Sequence, residues 1–347
     1  MARLQDVAEA SELSVTTVSR YLNDQLTLPK ETSDRIEAAI RRLNYRPNPH
    51  ARSLSRGRTD TIGLVIPNID NPFFARLAAS VEEAASEHGL GVMLCASLNR
   101  PSRELDYIER LRRNHVDGLL FVTNHGDDGT LAAKINEASG VVLMDEDIAG
   151  TQAPKIFCDN EVGGRLAARH LIEAGHRRIA YIGGPKAMMS TAERLGGFRR
   201  VISEAGPGFC MTHELLGDYT TAHGKAATME FLREPRGATA IFAASDEIML
   251  GLLEVLRREG VRIPGDISLV AFDDVGPLAL FDPPLTAIRQ AVAAMGRRGV
   301  ELVKASTSNE PLPAAVERLP VEIIVRSSVA APPAKPRAHG RVQQRSM

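Results

Sequence analysis

The 347-residue chain predicts an all-α unit at its N-terminus followed by an α/β core of two lobes, each an open, doubly wound parallel sheet. Three observations carry this reading. Residues 1–45 read as short helices only. From Thr61 onward, apolar runs (TIGLVIP, GVMLCAS, GLLFVT, VVLMD) alternate with amphipathic stretches, the pattern of βαβ units. A second series (RIAYIGG, AIFAAS, ISLVAFDD) repeats the alternation and asks for a second sheet. Helices of the core are expected over about 73–88, 104–113, 163–174, 193–204, 223–233 and 248–259.

The N-terminal unit comes first. In LQDVAEASELSVTTVSRYLND, Leu4, Val7, Ala8, Leu13, Val18 and Leu22 supply the apolar positions of two short helices. Ser11-Glu12-Leu13 makes the turn, and Ser14 is placed to cap the second helix. Ala8 is small where two helices must cross, and Val18 and Leu22, four apart, hold the second helix to the first. That orientation turns Val15, Thr16, Ser19 and Arg20 outward at the helix start, where a recognition helix meets base edges. A plain two-helix hairpin fits the same spacing. A third helix over about 29–43, with Pro29 at its first position, buries Ile36, Ala39, Ile40 and Leu43. Asn48-Pro49 then opens a short helix through Ser55, ended by Gly57. So short a helix rarely holds alone, so it is expected to order on DNA, with Leu54 either a wedge at a minor-groove step or an ordinary linker leucine.

Charge follows the same division. Residues 1–58 carry ten Arg/Lys against seven Asp/Glu, although the whole chain is near neutral at −1. Six arginines (Arg41, Arg42, Arg46, Arg52, Arg56, Arg58) fall in residues 41–58 without an acid between them. Such a stretch suits a phosphate backbone, or forms a solvated face. The three cysteines, Cys95, Cys158 and Cys210, fit neither a disulfide framework nor a CxxC metal pair and point to a reducing compartment. The start lacks a signal-peptide pattern and no segment reads as a membrane span, so a cytoplasmic protein is expected. There is no GxxxxGK[ST] loop, no HExxH and no close Cys/His spacing, so neither cofactor nor metal is expected. His170 and His176, at a helix C-terminus, read as structural.

Ligands of open parallel sheets bind beyond the carboxyl ends of the strands. There lie Asn71, Pro72, Phe73 and Phe74 after LVIP, Asp145 after VVLM, Asp246 after AIFAAS, and Asp273 and Asp274 after ISLVAF, with Ser190 and Arg194 shortly after RIAYIGG. Carboxylates, one arginine and flanking aromatics are the chemistry of a sugar site. A strand-end aspartate equally often caps the next helix.

The order DVAEASELSVTTVSRYLN, NYRPNPHARSL, IGLVIPNIDNPFF resembles the lactose/galactose-repressor (LacI/GalR) family of bacterial regulators. The resemblance continues to about Arg326 through DNEVGGRLAARHLIEAGHRRIAYIGGP, ERLGGFR, GDYTTAHGKAA, AIFAASDEIMLG, RIPGDISLVAFDD and PPLTAIRQ. It implies a helix-turn-helix DNA-binding domain (1–46), a hinge helix (47–58) and a periplasmic-binding-protein-like core (59–327). The first lobe is expected over about 59–157 and 288–319, the second over about 158–287 and 320–327, with a disordered tail at 328–347. It also implies a homodimer on a roughly palindromic operator. The implied DNA-contacting residues are Leu4, Ser14, Val15, Thr16, Thr17, Ser19, Arg20 and Asn23, then Asn48, His50, Ala51, Arg52 and Leu54. The implied effector cleft has Asn71, Phe73, Phe74, Asp145, Ser190, Arg194, Tyr219, Ser245, Asp273 and Gln290.

Three positions depart from the family pattern. Ser245 stands where many members have Asn, Val292 where some have an aromatic, and Leu28 where Ser usually caps the third helix. The expected function is a non-enzymatic transcriptional repressor whose operator affinity follows a sugar-like effector, without a C-terminal coiled coil to make a tetramer. A transporter's solute-binding protein shares the core but has no use for residues 1–58. A sugar enzyme would need an acid/base pair or cofactor motif that the sequence does not display.

Overall fold

The structure is a computed structural model that describes residues 2–23, 25–45, 58–113, 115–307 and 316–333. The hinge expected over 47–58, with Asn48, His50, Ala51, Arg52 and Leu54, lies outside the described residues but for Arg58, and so does the segment 334–347.

Three helices, α1 (Leu4–Ser11), α2 (Val15–Leu22) and α3 (Lys30–Leu43), build the N-terminal unit around Val7, Ala8, Val18, Ile36 and Ala39. Glu12 in the left-handed region ends α1, and the Ser14 hydroxyl accepts from the Thr17 N–H at 3.0 Å to start α2. Arg35 ties α3 to the turn through the Ser11 carbonyl at 2.6 Å. Helix α3 starts one residue later than expected: Pro29, expected at its first position, is its N-cap, and no side chain caps the helix.

The core holds two six-stranded sheets. The first runs β11-β5-β4-β3-β1-β2, from β1 (Thr61–Ile66), β2 (Gly91–Ala96), β3 (Gly118–Phe121), β4 (Val141–Met144), β5 (Lys155–Cys158) and β11 (Val316–Leu319). The second runs β12-β10-β9-β8-β6-β7, from β6 (Arg178–Gly183), β7 (Cys210–Leu216), β8 (Ala240–Ala243), β9 (Ser268–Phe272), β10 (Thr286–Gln290) and β12 (Val321–Ile324). Among the described strand pairs only β10–β12 is antiparallel. Central strands such as β3, β4 and β8 are buried throughout, so they are apolar at every position instead of alternating. The first lobe carries α4 (Pro72–Glu87), α5 (Pro101–Arg112) and α6 (Thr130–Asn136). The second carries α7 (Asn160–Glu173), α8 (Met189–Glu204), α9 (Thr221–Arg233) and α10 (Asp246–Arg258), and α11 (Val292–Thr307) returns to pack on α4.

The chain crosses between lobes three times: after β5, after β10, and between β11 and β12. Because β10 pairs with β9 and β12, residues 288–290 belong to the second lobe, and the crossing expected at 288 falls at Ala291. Helices α7 and α8 begin three or four residues earlier than expected. Asp159 caps α7 through the Val162 N–H, whereas Met188 offers α8 no side-chain cap and the partner comes from the other lobe. These two helices meet at glycines. A Cβ on Gly164 would stand 2.1 Å from the Arg194 carbonyl oxygen, and one on Gly197 would stand 2.1 Å from that of Glu161. The approach seats Arg194 against the sheet.

The tail expected to be disordered from 328 is ordered at its start. Ser328 is fully buried; its hydroxyl donates to the Leu269 carbonyl at 2.7 Å and accepts from the Thr286 N–H at 2.8 Å. Its carbonyl accepts from the Leu269 N–H at 2.9 Å. The Pro/Ala/Arg-rich, aperiodic composition of this stretch misleads here, because those groups complete the β9 and β10 ladders. Ser328→Ala strands two buried backbone groups and should cost about 2 kcal/mol in urea unfolding. An unchanged midpoint would show the segment to be dispensable.

Candidate functional site

The strand ends of both lobes converge on one narrow cleft, with about 50 Å³ of room for water-sized occupants. All ten residues expected of the effector site line it: Asn71, Phe73, Phe74, Asp145, Ser190, Arg194, Tyr219, Ser245, Asp273 and Gln290. Of the other lining residues, Asp246 was read as a strand-end residue outside that set, and Thr123, Asn124, Glu146 and Glu247 were not singled out. Thr123 and Asn124 follow β3, and a strand-end search extended to that strand finds them. Glu146, beside Asp145, carried no signal because its partners across the cleft, Met189 and Ser190, lie 43 and 44 residues away.

From the first lobe, Asn71 caps α4, accepting from the Phe73 N–H at 2.7 Å, and Pro72 suits the first helical position. Phe73 and Phe74 sit edge to face with ring centroids 5.3 Å apart. Asp145 and Asp273, each just beyond a strand, have φ of 66° and 71°. That left-handed conformation is uncommon for residues other than glycine, and it recurs at functional sites. Asp274, next to Asp273, is bonded instead to Arg326 at 2.7 Å and Arg289 at 2.6 Å and has a structural part.

Arg194 is the buried cation of the site. Its Nε donates to Asn160 Oδ1 and its Nη1 to the Ala244 carbonyl, both at 2.7 Å. The guanidinium lies 3.6 Å above the Phe272 ring centroid. Tyr219 bonds through its hydroxyl to Thr191 Oγ1 at 2.9 Å and Ser190 Oγ at 3.2 Å. Its ring lies over Gly184, where a Cβ would come within 2.2 Å.

Acceptors dominate the rest. Gln290 Nε2 donates to Asp273 Oδ1 at 2.6 Å, which leaves Gln290 Oε1 as a buried oxygen with no hydrogen-bond partner. Asp145 Oδ1 and Asp246 Oδ2 are in the same condition. Such groups normally find a partner, so three together on one cleft mark where a ligand's donors belong. Ser245 lines the cleft as expected and also serves its own helix. Its hydroxyl accepts from the Ile248 N–H at 3.2 Å and caps α10, while Asp246 reaches across to Asn71 Nδ2 at 3.5 Å. Burial pushes the Asp145 carboxyl up to about 7, with Asp273 and Glu146 adding to the effect and Arg194 opposing it. Burial, then the facing Asp273, likewise pushes Asp246 up to about 7.

On the N-terminal unit, Val15 (43% exposed), Thr16 and Arg20 form an outward face at the start of α2, with Ser19 half-buried beside them. Ser14 and Thr17 are engaged with each other, their hydroxyls 2.8 Å apart. Leu4 packs, partly buried, on the unit's own core, and Asn23 is buried at the end of α2.

A three-helix unit with an outward polar face, joined to a two-lobed core with a cleft, defines a DNA-binding regulator built on a ligand-binding scaffold. Residues 3–48 match the model of the bacterial regulatory proteins of the lacI family, and residues 168–329 match that of the periplasmic binding protein-like domain. The chain is 31% identical to the HTH-type transcriptional regulator GalR of Escherichia coli (strain K12) over 332 residues, 96% of this chain and 97% of that one. Its fold is similar to that of the lac repressor dimer bound to operator and the anti-inducer ONPF. The TM-score is 0.82 at 26% identity, covering 95% of this chain and 99% of that one. It is also similar to the transcriptional regulator CelR in complex with cellobiose, with a TM-score of 0.70 at 33% identity, covering 94% and 100%. The chain belongs to the lacI family of bacterial regulatory proteins and is a transcriptional regulator.

The raised carboxyls carry a pH signature. Ionising Asp246 costs the folded form, so the penalty grows as pH rises from the ordinary carboxylate value near 4 to about 7. Asp246→Asn should therefore be more stable than the parent at pH 8, on the order of 2 kcal/mol, and the two should converge near pH 4. Equal stability at both pH values would refute the assigned burial cost.

Proposed function

We propose that this protein is a homodimeric repressor of transcription in the cytoplasm, with a sugar or sugar derivative as its effector. The observation that carries the reading is the cleft itself. Three buried acceptor oxygens without partners, on Asp145, Asp246 and Gln290, face a space flanked by Phe73 and Phe74. Vicinal hydroxyls supply such donors in pairs, and an aromatic face accepts the apolar side of a sugar ring.

Closure couples the site to DNA. A ligand that binds one arrangement of the lobes better than another shifts their equilibrium, and reciprocally operator shifts ligand affinity, by about 1–3 kcal/mol. Three crossings of the chain allow the lobes to move as bodies about one seam. Each dimer carries two copies of α2, and a roughly palindromic operator matches that symmetry. Val15, Thr16, Ser19 and Arg20 read base edges in the major groove. Ser14, Thr17, Leu4 and Asn23 support the helix and its approach to the backbone, and residues 48–54 engage the minor groove. Relatives named as repressors of transcription and the lac repressor's operator complex support the DNA half of this reading. The absence, among the described residues, of any helix long and apolar enough to cross a membrane is compatible with a cytoplasmic site of action.

The test joins selected operator DNA to a ligand screen. Arg20→Ala should weaken operator binding by about 1–3 kcal/mol in gel shifts and relax specificity at one base position. Melting curves against pentoses, hexoses, polyols and purines should show a saturable rise with a sugar, and the same sugar should change operator affinity. Intact protein that binds no duplex at low salt would overturn the regulator reading. A response to purines alone would overturn the sugar.

A further inference from the structure

Helix α8 has an open end that the other lobe closes. It runs for sixteen residues from Met189, and Met188 before it has no side chain able to accept its first N–H groups. Those N–H groups and the helix dipole make a natural seat for an anion. Ser190 and Arg194, on the same helix, line the cleft, so the seat opens on the place where an effector would lie. It is filled by Glu146 from the first lobe, 3% exposed, whose Oε1 accepts from the Met189 N–H at 2.7 Å. The Ser190 N–H meets both carboxylate oxygens, at 3.3 and 3.2 Å.

We propose that Glu146 is a specificity-determining residue: by occupying the anion seat of α8 from across the cleft, it makes the sensor reject phosphorylated and carboxylated effectors. The other helix starts at the cleft are closed by their own residues. Asn71 accepts the Phe73 N–H of α4, and Ser245 and Asp246 accept the Ile248 and Glu247 N–H groups of α10. Backbone donors are thereby consumed on three sides. Arg194 is already tied through Nε and Nη1 to Asn160 and Ala244. Among the groups lining the cleft, Asp145, Asp246 and Gln290 each hold a buried acceptor oxygen without a hydrogen-bond partner. An anion there gains few donors and meets like charge, whereas hydroxyl or ammonium donors complete the site. The same contact joins the lobes, so an anionic ligand could enter the seat only by displacing the carboxylate that holds them together.

The selectivity rests on the sugar-effector reading, but the seat is testable without it. In the full-length protein, inorganic phosphate and glucose 6-phosphate at matched ionic strength should leave the wild-type melting curve unmoved. With Glu146→Ala, both should give a saturable rise, and phosphate should slow hydrogen exchange of the Met189 and Ser190 amides. Glu146→Gln, which keeps the side chain's shape, provides a second variant that should lose most of the discrimination should the alanine variant fail to fold. In wild type, matched sets (glucose, glucosamine, glucuronate, glucose 6-phosphate and the galactose equivalents) should show the acidic members at least tenfold weaker than the best uncharged or amine member. Wild type binding an acidic member as tightly as its neutral counterpart would overturn the proposal. So would folded variants that gain no response to phosphate. If no sugar of any charge moves the wild type while phosphate stabilises the variant, the sugar reading fails and the anion seat stands.

Discussion

A guanidinium buried at the junction of two lobes sets the terms for everything around it. Arg194 is 4% exposed, and removing a charge from water so completely is tolerable only when hydrogen bonds and counter-charges surround it. The fold meets this demand with elements from the whole second lobe. Asn160 from α7, the Ala244 carbonyl beyond β8 and the Phe272 ring of β9 each hold one aspect of the planar group. The glycine contacts between α7 and α8 bring the backbone of Arg194 close enough for that geometry. Its counter-charges, Asp145 and Asp273, come from both lobes, so the cation is also a reason for the lobes to face each other.

That arrangement makes the cleft electrically uneven. One fixed cation is surrounded by several carboxyls, and burial pushes two of them, Asp145 and Asp246, up to about 7. A site with acceptors in excess is a recogniser of donors, and the aromatic pair at α4 adds a flat apolar surface on one side. Chemistry and architecture coincide because both sheets bring their strand ends to the same seam.

Much of this was legible in the sequence. Apolar runs at βαβ spacing declared both sheets, and Ser14, Ala8 and Val18 declared the N-terminal helices through capping and packing rules that act within a few residues. The ten effector-site residues were found together because strand ends in an open sheet necessarily converge, and because family blocks singled out Tyr219 and Gln290. What escaped notice depends on contacts far apart in the chain. Glu146 acts on a helix more than forty residues later, and nothing local distinguishes it from a surface acid. Ser328 lies in a stretch whose composition suggests disorder, and only the β9 and β10 backbone explains its burial. Ser245 was recognised as a departure, yet its hydroxyl serves the helix backbone, which a substitution pattern alone does not disclose.

The triple crossing between the lobes has a temporal consequence. The second sheet awaits β10 and β12, and the first awaits β11, so neither lobe can be completed until nearly the entire chain has left the ribosome. The three-helix unit, with a core of its own, emerges first and needs none of these late strands. During synthesis, then, the DNA-facing module is formed well before anything exists to regulate it. Its obedience to a ligand is acquired only once β11 and β12 have taken their places, one in each half of the sensor.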